Sequence, residues 1–165
     1  MINWLEIIVD GLVTFATPLS VLFIAYQLVL RKRQFTTQFE DGITEQYREL
    51  IGEIPVEAFL GEKEVEDYTD KRQYYYEYID LSNEQAFLRQ EGRVSKSTWE
   101  NWRDGIESNL DQPSFEQAWE DFKQSAPNSF KELRKLENEG MSDDPREWEH
   151  PWRAKIEAIW YTIRY

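Results

Sequence analysis

The chain has no cysteine and only one histidine, His150. Without cysteine it can form no disulfide, no thiolate nucleophile and no cysteine-ligated metal site. With a single histidine, Ser-His and Cys-His catalytic arrangements are possible only through His150. The seven glycines are scattered and form no glycine-rich phosphate loop. No catalytic or ligand-binding signature stands out, and we expect no cofactor.

Charge is also missing from one long stretch, residues 12–30, which ends at the basic cluster Arg31–Arg33. As a helix this stretch is about 28 Å long, close to the thickness of the hydrocarbon core of a bilayer. We therefore predict a single membrane-spanning helix. A buried core helix rarely runs this long without a charged face, and a signal peptide would begin with basic residues. The lipid bilayer is the first predicted partner.

The charges on either side of this stretch predict its orientation. Basic residues follow it, whereas the acidic Glu6 and Asp10 precede it. Loops rich in lysine and arginine stay in the cytoplasm. We expect a bacterial inner-membrane protein that crosses once, with its N-terminus outside and its C-terminus in the cytoplasm. Residues 1–33 then form the membrane anchor with its basic collar.

The rest of the chain is strongly acidic. Residues 1–33 hold three of the 19 basic and two of the 32 acidic residues, which leaves 16 basic and 30 acidic residues and a net charge of −14. Such a domain is repelled by nucleic acid, so we expect no nucleic-acid partner. Residues 34–140 are predicted to form an acidic helical cytoplasmic domain, and residues 141–165 a C-terminal loop and helix.

Apolar residues after the basic collar recur every three or four positions, and no stretch alternates as a strand does. We predict an all-α protein, in which the transmembrane helix continues into an amphipathic helix and then into a compact bundle of about five helices. The expected boundaries are an end at Gly52 and Pro55, a helix from about Thr69 to Gln90, starts at Ser95, Pro113 and Ser129, an end at Gly140, and a last helix from about Pro151.

Several short motifs lie between Phe35 and Leu136, among them Phe39-Glu40-Asp41, Tyr47-Arg48, Leu60-Gly61-Glu62, Tyr78-Ile79-Asp80-Leu81, Gly92-Arg93-Val94-Ser95 and Trp99-Glu100-Asn101-Trp102. In these motifs the chain resembles an uncharacterised bacterial family of small single-pass membrane proteins. The resemblance implies one N-terminal membrane helix followed by a compact helical cytoplasmic domain. It implies no activity, and residues after Gly140 lie outside it.

Two polar clusters are candidate sites. Asp80, Asn83, Glu84 and Gln85 interrupt an otherwise apolar helix. Asp80 and Glu84 share a helical face, where two carboxylates act as acid and base or hold a cation. A network that fixes helix packing explains the same residues and is the interpretation we favour.

The second cluster, Arg89, Arg93 and Lys96, surrounds the predicted start of a helix, which suits a small anion. Surface ion pairing is the simpler explanation of these three residues. Glu147 and His150 have the Glu-x-x-His spacing of di-iron bundles, but those proteins need a second histidine, so we expect no metal.

The function is less constrained than the fold. Ala16 and Ser20 are small residues four apart, a spacing that lets membrane helices approach closely. Together with the absence of a catalytic signature, they favour a membrane-anchored interaction, scaffold or regulatory module that binds another protein or itself. The alternatives are a ligand-gated membrane effector that senses a small anion, and a carboxylate enzyme using Asp80 and Glu84.

Overall fold

The computed structural model describes residues 4–62 and 70–148, together with Ile156 and Ile159. These residues form α-helices and a short 3-10 helix, with no β-strand among them, so the all-α prediction is confirmed. The helices are α1 (Trp4–Ile51), α2 (Val56–Phe59), α3 (Arg72–Gln90), α4 (Lys96–Leu110), α5 (Pro113–Ser125) and α6 (Lys131–Asn138), and the 3-10 helix is Pro145–Glu147.

The chain divides into two compact units, Met1–Phe39 and Glu40–Tyr165. The first unit is the N-terminal part of α1, whose side chains are described at Thr14 and from Pro18 onward. In the part of the chain that the structure describes, we find no helix with both the length and the apolar character needed to cross a membrane. The structure thus leaves the transmembrane part of the fold prediction unsupported.

Helix α3 is the centre of the second unit, and it packs against α4, α5, α6 and the 3-10 helix. Its buried residues include Tyr75, Tyr78 and Ile79. The rings of both tyrosines pack edge-on against Phe115 of α5, with centroids 4.8 and 4.9 Å apart. Consecutive tyrosines favour a strand when considered alone, but here the burial of one helical face decides in favour of the helix.

The starts of α4 and α5 follow the local signals in the sequence. The Ser95 hydroxyl caps α4 by accepting a hydrogen bond from the backbone N–H of Thr98. Pro113 occupies the first turn of α5, where a missing N–H costs nothing. Both predicted helix starts are confirmed.

The start of α6 differs from the prediction. We expected Ser129 to cap this helix, but the N-cap residue is Phe130, which adopts a left-handed conformation with φ 56° and provides no side-chain cap. The cap comes instead from Asn83 on α3, whose Oδ1 accepts hydrogen bonds from the backbone N–H groups of Glu132 and Leu133, both at 3.1 Å. A residue 50 positions away thus satisfies the N-terminus of α6.

The segment after α6 closes over the C-terminal end of α3. Pro145 is buried, and the Arg146 guanidinium donates a hydrogen bond to the carbonyl of Gln90. The last predicted helix, from about Pro151, lies largely outside the described residues. Of its apolar residues, Ile156 and Ile159 are described, and both are helical and exposed.

Candidate functional site

An open groove of about 420 Å³ lies between α3 and the C-terminal part of α1 with the residues that directly follow it. Its base is partly apolar, because Leu50, Tyr74 and the buried Leu81 line it. The remaining lining residues are polar or acidic, and none is basic. They are Gln46, Glu49, Glu53, Glu77, Asp80 and Glu84. We call this feature the acidic groove.

The five carboxylates of the acidic groove form no ion pair with any described residue. One hydrogen bond involves them, from the Gln73 amide to Glu77 at 2.8 Å. Carboxylates elsewhere in this unit are used differently. Asp144 pairs with Arg89, for example, and Glu137 accepts hydrogen bonds from both Trp119 and Lys123. The groove is therefore a concave part of the described surface where five unpaired carboxylates converge.

The groove is not built as a metal site. In the described part of the chain, no group of three or more acidic or histidine side chains is arranged to hold a metal ion. The charge is spread along two helices and an apolar base, which suits an extended cationic partner better than a point charge.

The structure separates the predicted polar network into three roles. Asp80 and Glu84 are exposed and line the acidic groove. Asn83 caps α6, and Gln85 is buried with an exposed fraction of 4%. Glu49, Glu53 and Glu77 complete the groove but were not among the predicted site residues. Glu49 and Glu53 are four residues apart, and Glu77 precedes Asp80 by three, and this spacing is the signal that could have identified them.

The predicted anion cluster is also divided. The Arg89 side chain is buried and forms a two-pronged ion pair with Asp144, through Nε to Oδ1 at 2.8 Å and Nη2 to Oδ2 at 2.6 Å. Its Nη1 donates to the carbonyl of Val94. Arg93 is exposed, and the exposed Lys96 lies 3.8 Å from Glu100.

The N-terminus of α4, where the anion was expected, holds a carboxylate of the chain itself. Glu40 accepts hydrogen bonds from the backbone N–H of Ser95 at 2.6 Å and from the hydroxyl of Thr98 at 2.9 Å. A negative group is favoured at this end of a helix. The N-terminus of α4 thus binds a carboxylate of the chain itself, and this contact holds the C-terminal part of α1 against α4.

Chain comparisons add no relative. We find no match to this chain among protein-family models, curated proteins or solved structures. The resemblance to the bacterial family stays a prediction, and the functional argument rests on the geometry of the chain.

The predicted self-association residues lie on α1. The side chain of Ala16 lies outside the described residues, and Ser20 is exposed. Around Ser20 the described apolar side chains point outward on every side of the helix. Their exposed fractions run from 37% to 66%, and they are Leu19, Val21, Leu22, Phe23, Ile24, Tyr26, Leu28, Val29 and Leu30.

The predicted Glu147–His150 pair cannot be compared directly. Glu147 is an exposed residue of the 3-10 helix, and His150 lies outside the described residues. The absence of a metal site at this pair stays a prediction.

One basic group is held strongly in its charged form. Burial lowers the pKa of the Lys123 ammonium, but hydrogen bonds and charges from Glu120 and Glu137 outweigh burial and raise the pKa above its ordinary value. The same ammonium lies 5.2 Å from the centre of the Trp119 ring. This cluster joins α5 to α6, so we assign it to stability.

Proposed function

We propose that this protein is a single-pass membrane protein whose acidic helical domain recruits another protein at the cytoplasmic face. In this role it is a scaffold or regulatory subunit, and residues 12–30 give it its location. The observation that carries the proposal is the acidic groove, an open concave surface where five carboxylates without an ion pair to any described residue surround a partly apolar base.

Membrane attachment is supported by the apolar exposure of α1. A helix that is apolar on every side needs an apolar surrounding, because each exposed leucine or phenylalanine costs free energy in water. Residues 12–30 are helical throughout and carry no charge, and basic residues follow directly. Lipid supplies the apolar surrounding, and the basic collar lies at anionic headgroups.

The acidic groove determines the kind of partner. Five carboxylates around an apolar base complement a segment that carries lysine or arginine beside one or two apolar side chains. A second copy of the acidic domain is a poor occupant because the like charges repel. We therefore propose that a basic amphipathic segment of a different protein occupies the groove.

The membrane half of the proposal is tested by fractionation. The full chain should float with vesicles in a density gradient and resist extraction with alkaline carbonate. A reporter fused after Tyr165 should be active only in the cytoplasm. Release into the soluble fraction, or a reporter active outside the cell, contradicts the anchor and its orientation.

The proposed binding at the acidic groove is tested with a fluorescent amphipathic peptide built from lysine and leucine. Neutralising Glu49, Glu77 and Glu84 to glutamine should weaken its binding to the full chain at least ten-fold at low salt. The matched control neutralises three exposed acids elsewhere, Glu91, Glu107 and Asp111, and so makes the same change in net charge. Equal loss in both triple variants would show that net charge, and not the groove, attracts the peptide.

Two other functions stay predictions. Sensing of an anionic ligand requires a free cationic site, and Arg89 is already paired with Asp144. A carboxylate enzyme would use Asp80 and Glu84, which both line the acidic groove. The substitution Glu84→Gln separates catalysis from peptide binding. If Glu84 is catalytic, the variant loses turnover while its affinity for the peptide is unchanged.

A further inference from the structure

One face of α1 carries an uncharged row of residues at heptad spacing. Ser20, Gln27 and Gln34 are seven residues apart, and Phe23, Leu30 and Thr37 follow each of them by three. These two rows are the a and d positions of a helix seam. Ala16 lies at the d position before Ser20, so the small residues noted in the sequence belong to the same face. We call this face the α1 seam.

Charged and helix-bending residues lie off the α1 seam. Arg31, Lys32 and Arg33 occupy the e, f and g positions, and Pro18 occupies an f position on the opposite side. The seam therefore has no charge from Ala16 to Thr37. Two copies packed along it would place no charged residue in the seam itself, whereas most other faces of α1 would put basic residues of the collar inside the contact.

The α1 seam is uncovered in its own unit. Phe23 is 61% exposed and Leu30 37% exposed, and Ser20, Gln27 and Gln34 are exposed as well. Within the described part of the chain, the Gln27 carboxamide has no hydrogen-bond partner. If residues 12–30 lie in lipid, as the proposed function requires, an unpaired carboxamide there is costly.

We propose that two copies of this chain associate in parallel along the α1 seam, with the Gln27 carboxamides hydrogen-bonded to each other. This inference rests on the proposed membrane anchor. Copies inserted with one orientation are related by a two-fold axis along the membrane normal, so each seam residue meets its own equivalent. A carboxamide suits this position because it both donates and accepts, and can therefore pair with an identical group.

Each part of the seam has its own contribution. Ala16 and Ser20 let the two backbones approach closely, because their side chains are small. Gln27 then fixes the register, since a single buried amide at an a position disfavours any shifted pairing. In the alternative to this pairing, the Gln27 side chain extends toward the headgroups beside Arg31. Arg31 is about 6 Å from Gln27 along the helix axis.

The experiment uses the full chain reconstituted in phosphatidylcholine vesicles, and flotation first establishes that it is inserted. Dimerisation is measured by energy transfer between copies labelled at the C-terminus. Gln27→Leu should weaken dimerisation about ten-fold, whereas Gln27→Asn, which retains the amide, should restore most of it. The double variant Gln27→Leu with Leu28→Gln keeps the composition but moves the amide off the seam, and it should remain weak.

Because the chain has no cysteine, single substitutions also report the contact face directly. Oxidation should crosslink Leu30→Cys and Gln34→Cys, whose equivalents meet across the axis, faster than Val29→Cys and Phe35→Cys. An inserted chain with unchanged energy transfer in Gln27→Leu, or with equal crosslinking at all four positions, overturns the seam and leaves the anchor intact. A chain that fails to float overturns both proposals.

Discussion

The carboxylate of Glu40 on α1 accepts a hydrogen bond from the backbone N–H of Ser95, 55 residues later, at a distance of 2.6 Å. The same carboxylate accepts a second hydrogen bond from the Thr98 hydroxyl. Between residues 40 and 51 the only buried residue is Ile43. The Glu40 carboxylate is therefore an important contact between this part of α1 and the bundle. Capping of α4 and attachment of α1 are thus one interaction.

We expect Glu40→Ala to lower the free energy of unfolding by about 1–2 kcal/mol, since it removes a charge-assisted cap. Urea denaturation of the full chain followed by circular dichroism measures this change. Glu45→Ala, at an exposed position of the same helix, is the control and should change stability by less than about 0.5 kcal/mol. Equal effects of the two substitutions would contradict the cap.

Removing the partner of a buried charge has a larger effect. Asp144→Ala leaves the Arg89 guanidinium buried without its counter-ion, and we expect a loss of about 3–5 kcal/mol in the free energy of unfolding. Arg89→Met with Asp144→Ala should recover part of that loss, because the buried charge is then absent. Urea denaturation of the single and double variants measures both values.

A matched surface pair serves as the control for Asp144. The Nη2 atom of Arg103 lies 2.8 Å from Oδ1 of Asp104, but the Asp104 side chain is 67% exposed. Asp104→Ala should therefore cost no more than about 1 kcal/mol. A cost for Asp144→Ala as small as that for Asp104→Ala would mean that the Arg89 pair is not buried in solution.

Two glycines with nearly the same backbone angle should differ in their tolerance of alanine. Gly92 has φ +67° and Gly140 has φ +68°, so each alanine pays about 1–2 kcal/mol for the left-handed conformation. At Gly92 the added methyl group also collides with the Arg146 guanidinium, whereas at Gly140 it meets nothing within 4 Å. We expect Gly92→Ala to lower the thermal midpoint further than Gly140→Ala does.

Stability should fall in alkaline solution because of Tyr78. Burial raises the pKa of its phenol above the ordinary value of 10.0, and the hydrogen bond from Asn109 offsets only part of this effect. Above about pH 10 the unfolded chain releases this proton while the folded chain keeps it, so the free energy of unfolding declines by about 1.4 kcal/mol per pH unit from this group. Below about pH 10 its contribution is constant.

The substitution Tyr78→Phe isolates that contribution. It should cost about 1 kcal/mol at neutral pH, because the Asn109 amide loses its acceptor, and it should make the alkaline decline shallower. Urea denaturation at a series of pH values between neutral and strongly alkaline measures both effects. A decline of unchanged slope would show that Tyr78 does not control it.

The residues of the predicted polar network should respond in opposite ways. Asn83→Ala removes the cap of α6 and should cost about 1 kcal/mol. Glu84→Gln relieves repulsion among the carboxylates of the acidic groove and should leave stability unchanged or slightly higher. Thermal denaturation of the two variants under identical conditions distinguishes a cap from a surface charge.

The sequence allows the helices to be predicted because periodicity and local caps are contained within short stretches. The Ser95 cap and the Pro113 start are examples, and the end of α3 at Gln90 follows from the glycine at position 92. The sequence does not reveal which distant side chain completes a helix end. Neither Glu40 at α4 nor Asn83 at α6 leaves a local pattern, since each acts across about 50 residues.

The site was harder to predict than the fold for the same reason. The sequence alone identifies Asp80 and Glu84 as a pair on one helix, but the rest of the acidic groove depends on α1 packing beside them. Arg89 looked like one of three surface cations, because nothing in a single sequence relates it to Asp144. Both facts concern packing between helices that are far apart in the chain.

The pairing of Arg89 with Asp144 also limits how this domain can be completed during synthesis. Helix α3 is complete once Gln90 has been synthesised. The Arg89 guanidinium, however, has no counter-ion until Asp144 has emerged from the ribosome. Until then the core must either hold an unneutralised charge or leave that end of α3 open to water. During synthesis, the C-terminal end of α3 is therefore the last part of this domain to be buried.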